Sequence, residues 1–169
     1  MIHEDEASFR QDSTLHQTWS RRGTQPLIPV TGARRSLKVF GSVEIYSARF
    51  LYKFTEGFTA ETYLAYLEQL ARAYYPRTTY LIQDNASYHK DSEVWAWFND
   101  NRHWLTVYNL PPYSPELNAA ERLWHHTRVA GTHNHYFATL AELHSTVTTV
   151  FRSIQRVPEQ IHDYLRPFS

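Results

Sequence analysis

The stretch Thr78 to Gln83 has the make-up of a strand, and it ends on one acid, Asp84. Asn85, Ala86, Ser87, Tyr88 and His89 then lead into a helix from about Ser92 to Asn101. A carboxylate at a strand end is delivered to the rim of a sheet, where it is poised for solvent and ligand instead of being sealed in a core. The next strand, Leu105 to Leu110, follows directly. Strand, helix and strand in succession belong to a sheet covered by helices.

The flanking segments fill in that sheet. Leu37, Val39, Val43 and Ile45 alternate with Lys38, Ser42 and Glu44, the period-2 pattern of a strand with one buried face, and Gly41 marks a bulge or a close approach within it. Phe50 to Phe54 follows as its antiparallel neighbour. Thr59 opens a helix in which Tyr63, Leu67, Leu70 and Tyr74 recur at helical spacing, with Pro76 as its stop. The stiff turn Leu110-Pro111-Pro112-Tyr113-Ser114-Pro115 feeds a helix running to about Gly131. A last long helix starts on the capping box Thr139-Leu140-Ala141-Glu142, and Pro158 leads into a short terminal helix holding Ile161 and Leu165. Asp5 stands near the start, where Met1 to Glu4 offers little apolar length, so only a short first strand is expected. The element order predicts an α/β domain over 1–169, a mixed central sheet flanked by helices, with the strand of Asp84 beside the strand of Asp5.

Composition narrows the chemistry. A chain of 169 residues, 42% hydrophobic, sustains one core. No apolar run approaches the roughly 18 to 20 residues of a membrane span and no signal pattern opens the chain, so a cytoplasmic protein is expected. With no cysteine, a bound metal must use oxygen or imidazole ligands. His125, His126, His133 and His135 form no recognised closed zinc set. The net charge of +0 gives no global nucleic-acid signal. Locally, however, Ser13 to Val43 contains no acid and carries Arg21, Arg22, Arg34, Arg35 and Lys38. Planar guanidinium suits phosphate, which makes these five candidate DNA contacts; a solvated hairpin tip is the plain alternative.

Asp84, Asp5 and Glu121 are the candidate catalytic and metal-ligating residues. Adjacent strands can bring Asp5 to Asp84, and a helix packed over the strand ends can lower Glu121 onto the same spot. Three carboxylates so close repel one another, and hard divalent cations relieve that repulsion. Two ions about 3.5 to 4 Å apart would stabilise the attacking and leaving oxygens of an in-line phosphoryl displacement. Glu121 has a second reading, since Asn118-Ala119-Ala120-Glu121 is also a capping box. Glu116 is explained by the start of a helix at Ser114-Pro115, and alternation sends Glu4 and Glu6 to the face opposite Asp5.

The ordered set Asp5-Glu6 with Trp19, Gly23 and Pro26, then Gln83-Asp84-Asn85-Ala86 with His89, then Pro111 to Glu121 with Trp124, resembles the catalytic domain of DDE transposases. The similarity is to the Tc/mariner superfamily and its bacterial insertion-sequence relatives. The spacing of 37 positions from Asp84 to Glu121 is similar to the family's. The resemblance implies an RNase H-like fold, with Mg²⁺ or Mn²⁺, as a pair of ions, held by Asp5, Asp84 and Glu121. It also implies cleavage of double-stranded DNA at transposon ends and strand transfer by the released 3′-hydroxyl, typically at TA. Asn85, His89 and Asn118 match the motif as secondary candidates that orient a carboxylate or phosphate, although His89 reads equally as a surface residue of a helix start. The expected partners are transposon-end and target DNA, and a second copy or a full-length transposase. Localisation at the nucleoid is expected if the source is bacterial. The family's N-terminal helix-turn-helix region has no counterpart before Asp5, so a single catalytic domain without it is expected. Two other readings share these residues: an inactive remnant that binds DNA or a partner through the basic stretch, and an RNase H-like nuclease of different substrate.

Overall fold

The structure, a computed structural model, describes residues 1–12, 14–24 and 26–165. Among the described residues, five strands form one mixed sheet: β1 (Ile2–Arg10), β2 (Ser36–Glu44), β3 (Phe50–Thr55), β4 (Thr79–Gln83) and β5 (Leu105–Asn109), in the order β3-β2-β1-β4-β5. β1 is antiparallel to β2 and parallel to β4, and β4 is parallel to β5. The helices are α1 (Ala60–Tyr74), α2 (Ser92–Asn101), α3 (Ala119–Thr127), α4 (Leu140–Arg156) and α5 (Glu159–Leu165). A five-residue π-helical segment, Arg128–Thr132, continues α3.

Each face of the sheet has its own core. α3, α4 and α5 cover one face, where Trp124, Leu123, Val147, Phe151 and Ile161 meet Ala7, Phe9, Val39 and Val43. α1 and α2 cover the other, where Tyr63, Tyr66, Leu67, Val94 and Phe98 meet Ile2, Phe40 and Leu81. The mixed sheet flanked by helices is thus present, with the strand of Asp84 beside that of Asp5.

The first strand departs from expectation: β1 has nine residues and begins at Ile2, not a few hesitant ones. Its apolar alternation is masked because His3, Glu4 and Asp5 are all buried. Each polar side chain meets a partner or the other acids of the site, and the strand is held by backbone pairing on both sides near its start. β4 ends after Gln83, so β1 continues past it, paired there with β2 alone.

Gly41 marks a close approach. It pairs with Asp5 across the sheet, and a Cβ at that position would lie 2.3 Å from Cη2 of Trp124. The missing side chain lets the indole lie against the sheet beside Asp5.

Candidate active site

The end of β4 is clamped from several directions. Gln83 is buried; the Tyr63 hydroxyl donates to its side-chain oxygen, and its own amide donates to Asn109 Oδ1 at 3.0 Å. Leu110 N–H closes onto Gln83 O at 2.7 Å. Asn85 donates its side-chain amide to Leu110 O. Asp84 is therefore carried on a platform that cannot easily tilt. Its Oδ1 accepts from Ala86 N–H at 2.8 Å and stands 3.3 Å from His89 Nδ1, while its side chain remains half exposed. The hydrogen bond from His89 holds the Asp84 pKa below the ordinary carboxylate range, and the Ala86 amide adds to it against the effect of burial.

Asp5 is the opposite case. It is 7% exposed, and its Oδ2 accepts from the Trp124 indole N–H at 3.1 Å. Burial, and next the Glu121 carboxylate, push its pKa well above the usual value, with Glu6 and Asp84 contributing. Glu121 is exposed on the first turn of α3. The capping-box reading of Glu121 does not hold. Asn118 caps α3 through Ala120 N–H, His3 Nδ1 accepts from Ala119 N–H, and the Glu121 carboxylate accepts no hydrogen bond from a described residue. Asn118 also donates from Nδ2 to Glu4 O at 3.0 Å, which pins the start of α3 to β1 at the level of Asp5.

Asp5, Asp84 and Glu121 thus come from a strand, a strand end and a helix to line one cleft of about 510 Å³. Asn85, Lys90, Tyr113 and Asn118 share its walls. Tyr113 is 99% exposed and has φ of 58°, a left-handed backbone unusual for a bulky residue. It holds a free aromatic ring at the rim.

Alternation does send Glu4 and Glu6 to the α1 side of the sheet, but not away from Asp84. Glu6, Asp84 and His89 each offer a ligand atom within 4.8 Å of the others. Glu4 is fully buried behind them, with Oε2 3.7 Å from His89 Nε2. His89 is likewise buried, so it is not the surface residue of a helix start. The group is not evident from strand alternation, because Glu4 and Glu6 do lie on the face opposite Asp5 but Asp84 and His89 reach that face as well; the signal for it was three acids in succession, Glu4-Asp5-Glu6, on a strand with both faces covered.

The basic residues are spread along the β1–β2 connection. Arg21 and Arg22 are exposed on it, and Arg34 and Arg35 line an open hollow with Arg10 and Asp12. Lys38 is half buried in β2 with its ammonium 5.6 Å from the Phe58 ring centre. Ser13, the first residue of the acid-free stretch, lies outside the described residues.

The buried acids make stability depend on pH. Burial raises the pKa values of Glu4, Asp5 and Glu6, each further raised by neighbouring acids, so above the ordinary carboxylate range the native state holds more protons than the unfolded chain. Stability must then fall as pH rises through the raised values. His3 acts the other way: burial lowers its pKa to about 4, so it costs stability only as pH drops below its usual value. Asp84 likewise costs stability only on acidification. In chelator, the thermal midpoint is therefore expected to fall as pH rises above the usual histidine value, where His3 and Asp84 no longer change their protonation and the raised carboxyls ionise. A midpoint that climbs across this range in thermal melts would contradict the burial of these acids.

Comparison with known proteins bears on this cleft. Residues 1–144 match the model of the DDE superfamily endonucleases. The 39 kDa protein of insertion element IS630 from Shigella sonnei is 24% identical over 163 residues, covering 96% of this chain and 47% of that protein. The chain therefore spans about half the length of this curated relative. Among solved structures, a pre-cleavage Mos1 transpososome superposes with a TM-score of 0.72 at 15% identity, over 97% of this chain and 53% of that one. A mariner Mos1 paired-end complex with Mg gives 0.64 at 16% identity, over 97% and 52%. These structural likenesses establish the fold as RNase H-like.

Proposed function

Because the chain belongs to the DDE superfamily of endonucleases, we propose that Asp5, Asp84 and Glu121 are the carboxylates with which it cleaves DNA and transfers the cut strand. The observation that carries this reading is the convergence of these three acids, from β1, the end of β4 and α3, on one open cleft. The donor set fits a hard divalent cation, Mg²⁺ or Mn²⁺. All three are oxygen ligands, and the charges nearest Asp5 are other carboxylates. Bound there, one or two such ions would offset charge on the attacking and departing oxygens of an in-line phosphoryl displacement.

The chain's own residues prepare the geometry. Trp124 turns Asp5 through its indole N–H, and Ala86 and His89 fix one oxygen of Asp84. Asn118 sets the height of α3, and with it Glu121, above β1. Lys90, exposed at the cleft wall, is placed to attract a phosphodiester, and the free ring of Tyr113 is placed to stack on an unpaired base. Water attack on the scissile phosphorus breaks its bond to the 3′-oxygen, releasing a 3′-hydroxyl and a 5′-phosphate. That hydroxyl then attacks a target phosphodiester in the same cleft, giving up its proton and forming a new bond to phosphorus as the target's own 3′-oxygen leaves as a hydroxyl. Insertion at TA belongs to the same reading and rests on the family likeness.

Arg21, Arg22, Arg34, Arg35 and Lys38 would follow the DNA backbone outside the cleft, with Lys38 held closest to the sheet. One of the similar Mos1 structures is a paired-end complex, and by analogy the working unit here is a second copy or a full-length transposase alongside this chain on DNA.

Incubating the protein with transposon-end duplexes and MgCl₂ tests this directly. Nicks with 3′-hydroxyl ends that disappear in EDTA are expected. Magnesium-independent cutting, or none in the presence of both Mg²⁺ and a full-length transposase, would overturn the reading.

A further inference from the structure

On the α1 side of β1, behind the three-carboxylate cleft and sharing only Asp84 with it, lies a second group of possible ligands. Glu6, Asp84 and His89 converge within 4.8 Å. Acids alone would not make a site, but the side chains around them are incompletely paired. Glu4 is 0% exposed and neither of its carboxylate oxygens has a hydrogen-bond partner; His89, 1% exposed, leaves Nε2 unpartnered. His89 is the one basic side chain within ion-pair distance of Glu4 and Asp84 among the described residues. Two unsatisfied buried groups beside two further acids is a costly arrangement.

The distances around His89 Nδ1 have a particular form. Asp84 O lies 3.1 Å away and Asp84 Oδ1 3.3 Å away. Ligands about 2.2 Å from one octahedral ion stand roughly 3.1 Å apart along an edge, so this spacing is that of neighbours in a coordination shell as well as that of a shared proton. If Nδ1 gives its lone pair to an ion, the proton moves to Nε2, which faces Glu4 Oε2 at 3.7 Å. The buried carboxylate then becomes the outer partner of a metal-bound imidazole, an arrangement that recurs in protein metal sites because it fixes the tautomer and strengthens the ligand.

We propose that Glu6, Asp84 and His89, with Glu4 as outer partner, form a separate site for a divalent transition metal of the Mn²⁺ or Zn²⁺ class. An imidazole nitrogen among oxygen ligands favours these ions over Mg²⁺. The ion would tie His89 and Glu6 to the Asp84 oxygen on the α1 side, gripping the carboxylate from behind.

The test separates this site from the cleft. In the double variant Asp5→Asn, Glu121→Gln the cleft loses two of its three carboxylates, while the second group is intact. Titrated with MnCl₂ and followed by calorimetry and electron paramagnetic resonance, this variant is expected to bind about one ion per chain. The spin-echo modulation of an imidazole nitrogen should be present, and the three carboxylates of the cleft cannot supply it. Adding Glu6→Gln should abolish the binding, and adding Glu4→Gln should weaken it about tenfold. No Mn²⁺ bound by the double variant, bound Mn²⁺ without nitrogen modulation, or binding indifferent to Glu6→Gln would each overturn the proposal. The nitrogen signal is also expected in the parent protein, so the result does not depend on any variant folding. DNA nicking is measured separately, so loss of this site and failure of the three-carboxylate reading are distinguishable.

Discussion

Asp84→Asn is expected to fold as the parent does and to lose magnesium-dependent DNA nicking by on the order of a thousandfold or more. The substitution keeps the shape of the side chain and an oxygen able to accept from Ala86 N–H, so the platform at the end of β4 stays closed. What it removes is the charge. The ionised form of Asp84 is favoured by its surroundings, through His89 and Ala86, whereas Asp5 is pressed towards its protonated form by burial and by Glu121. Without Asp84 the cleft would keep one reluctant carboxylate and one exposed one. Gel assays of end-labelled duplex, with circular dichroism as the folding control, measure this; nicking within tenfold of the parent would take Asp84 out of the chemistry.

Gly41→Ala is expected to act on the same site through packing. The added methyl would stand 2.3 Å from Cη2 and 2.8 Å from Cζ2 of Trp124, with Phe50 at 3.2 Å on another side. None of these rings can yield cheaply, because Trp124 is held edge-on by Phe9 and Phe50. Overpacking of this kind costs roughly 1–3 kcal/mol, and for a chain of this length the melting midpoint falls about 2–4 °C per kcal/mol. Any relief must move the indole, and with it the N–H that Asp5 accepts. The variant should therefore lose nicking beyond what its lowered stability explains. Gly57→Ala is the control, since a methyl there meets only Thr59 at 3.8 Å. Equal melting midpoints for the two variants would mean that the indole does not lie over Gly41.

Much of this architecture could be read from local pattern. The β4 terminus at Asp84, the α2 limits at Ser92 and Asn101, and the stop of α1 before Pro76 all follow from periodicity and turn chemistry within a few residues. Gly41 was legible as a close approach, though not what approached it. β1 was not legible as a long strand, because its polar residues are buried for reasons that lie elsewhere. His3 accepts from Ala119 N–H, and Asp5 accepts from an indole 119 positions away. Glu121 was ambiguous for a related reason. Its position three residues after Asn118 satisfies the rule for a capping box, and only the packed helix shows that Asn118 caps without it.

By itself the sequence determined the strand that ends in an acid, the helix that carries another, and the order of elements that must bring β1 and β4 side by side. Those follow from short-range backbone preferences and from the hydrophobic pattern of each segment. Only the tertiary structure decided how the acids differ. It buried Asp5 under Trp124, left Asp84 half exposed on a clamped turn, stood Glu121 in solvent, and folded Glu4 and Glu6 behind His89. Side chains of the same chemistry take these different characters because desolvation and neighbouring charge are set by whatever packs nearby, and here those neighbours are brought together across most of the chain.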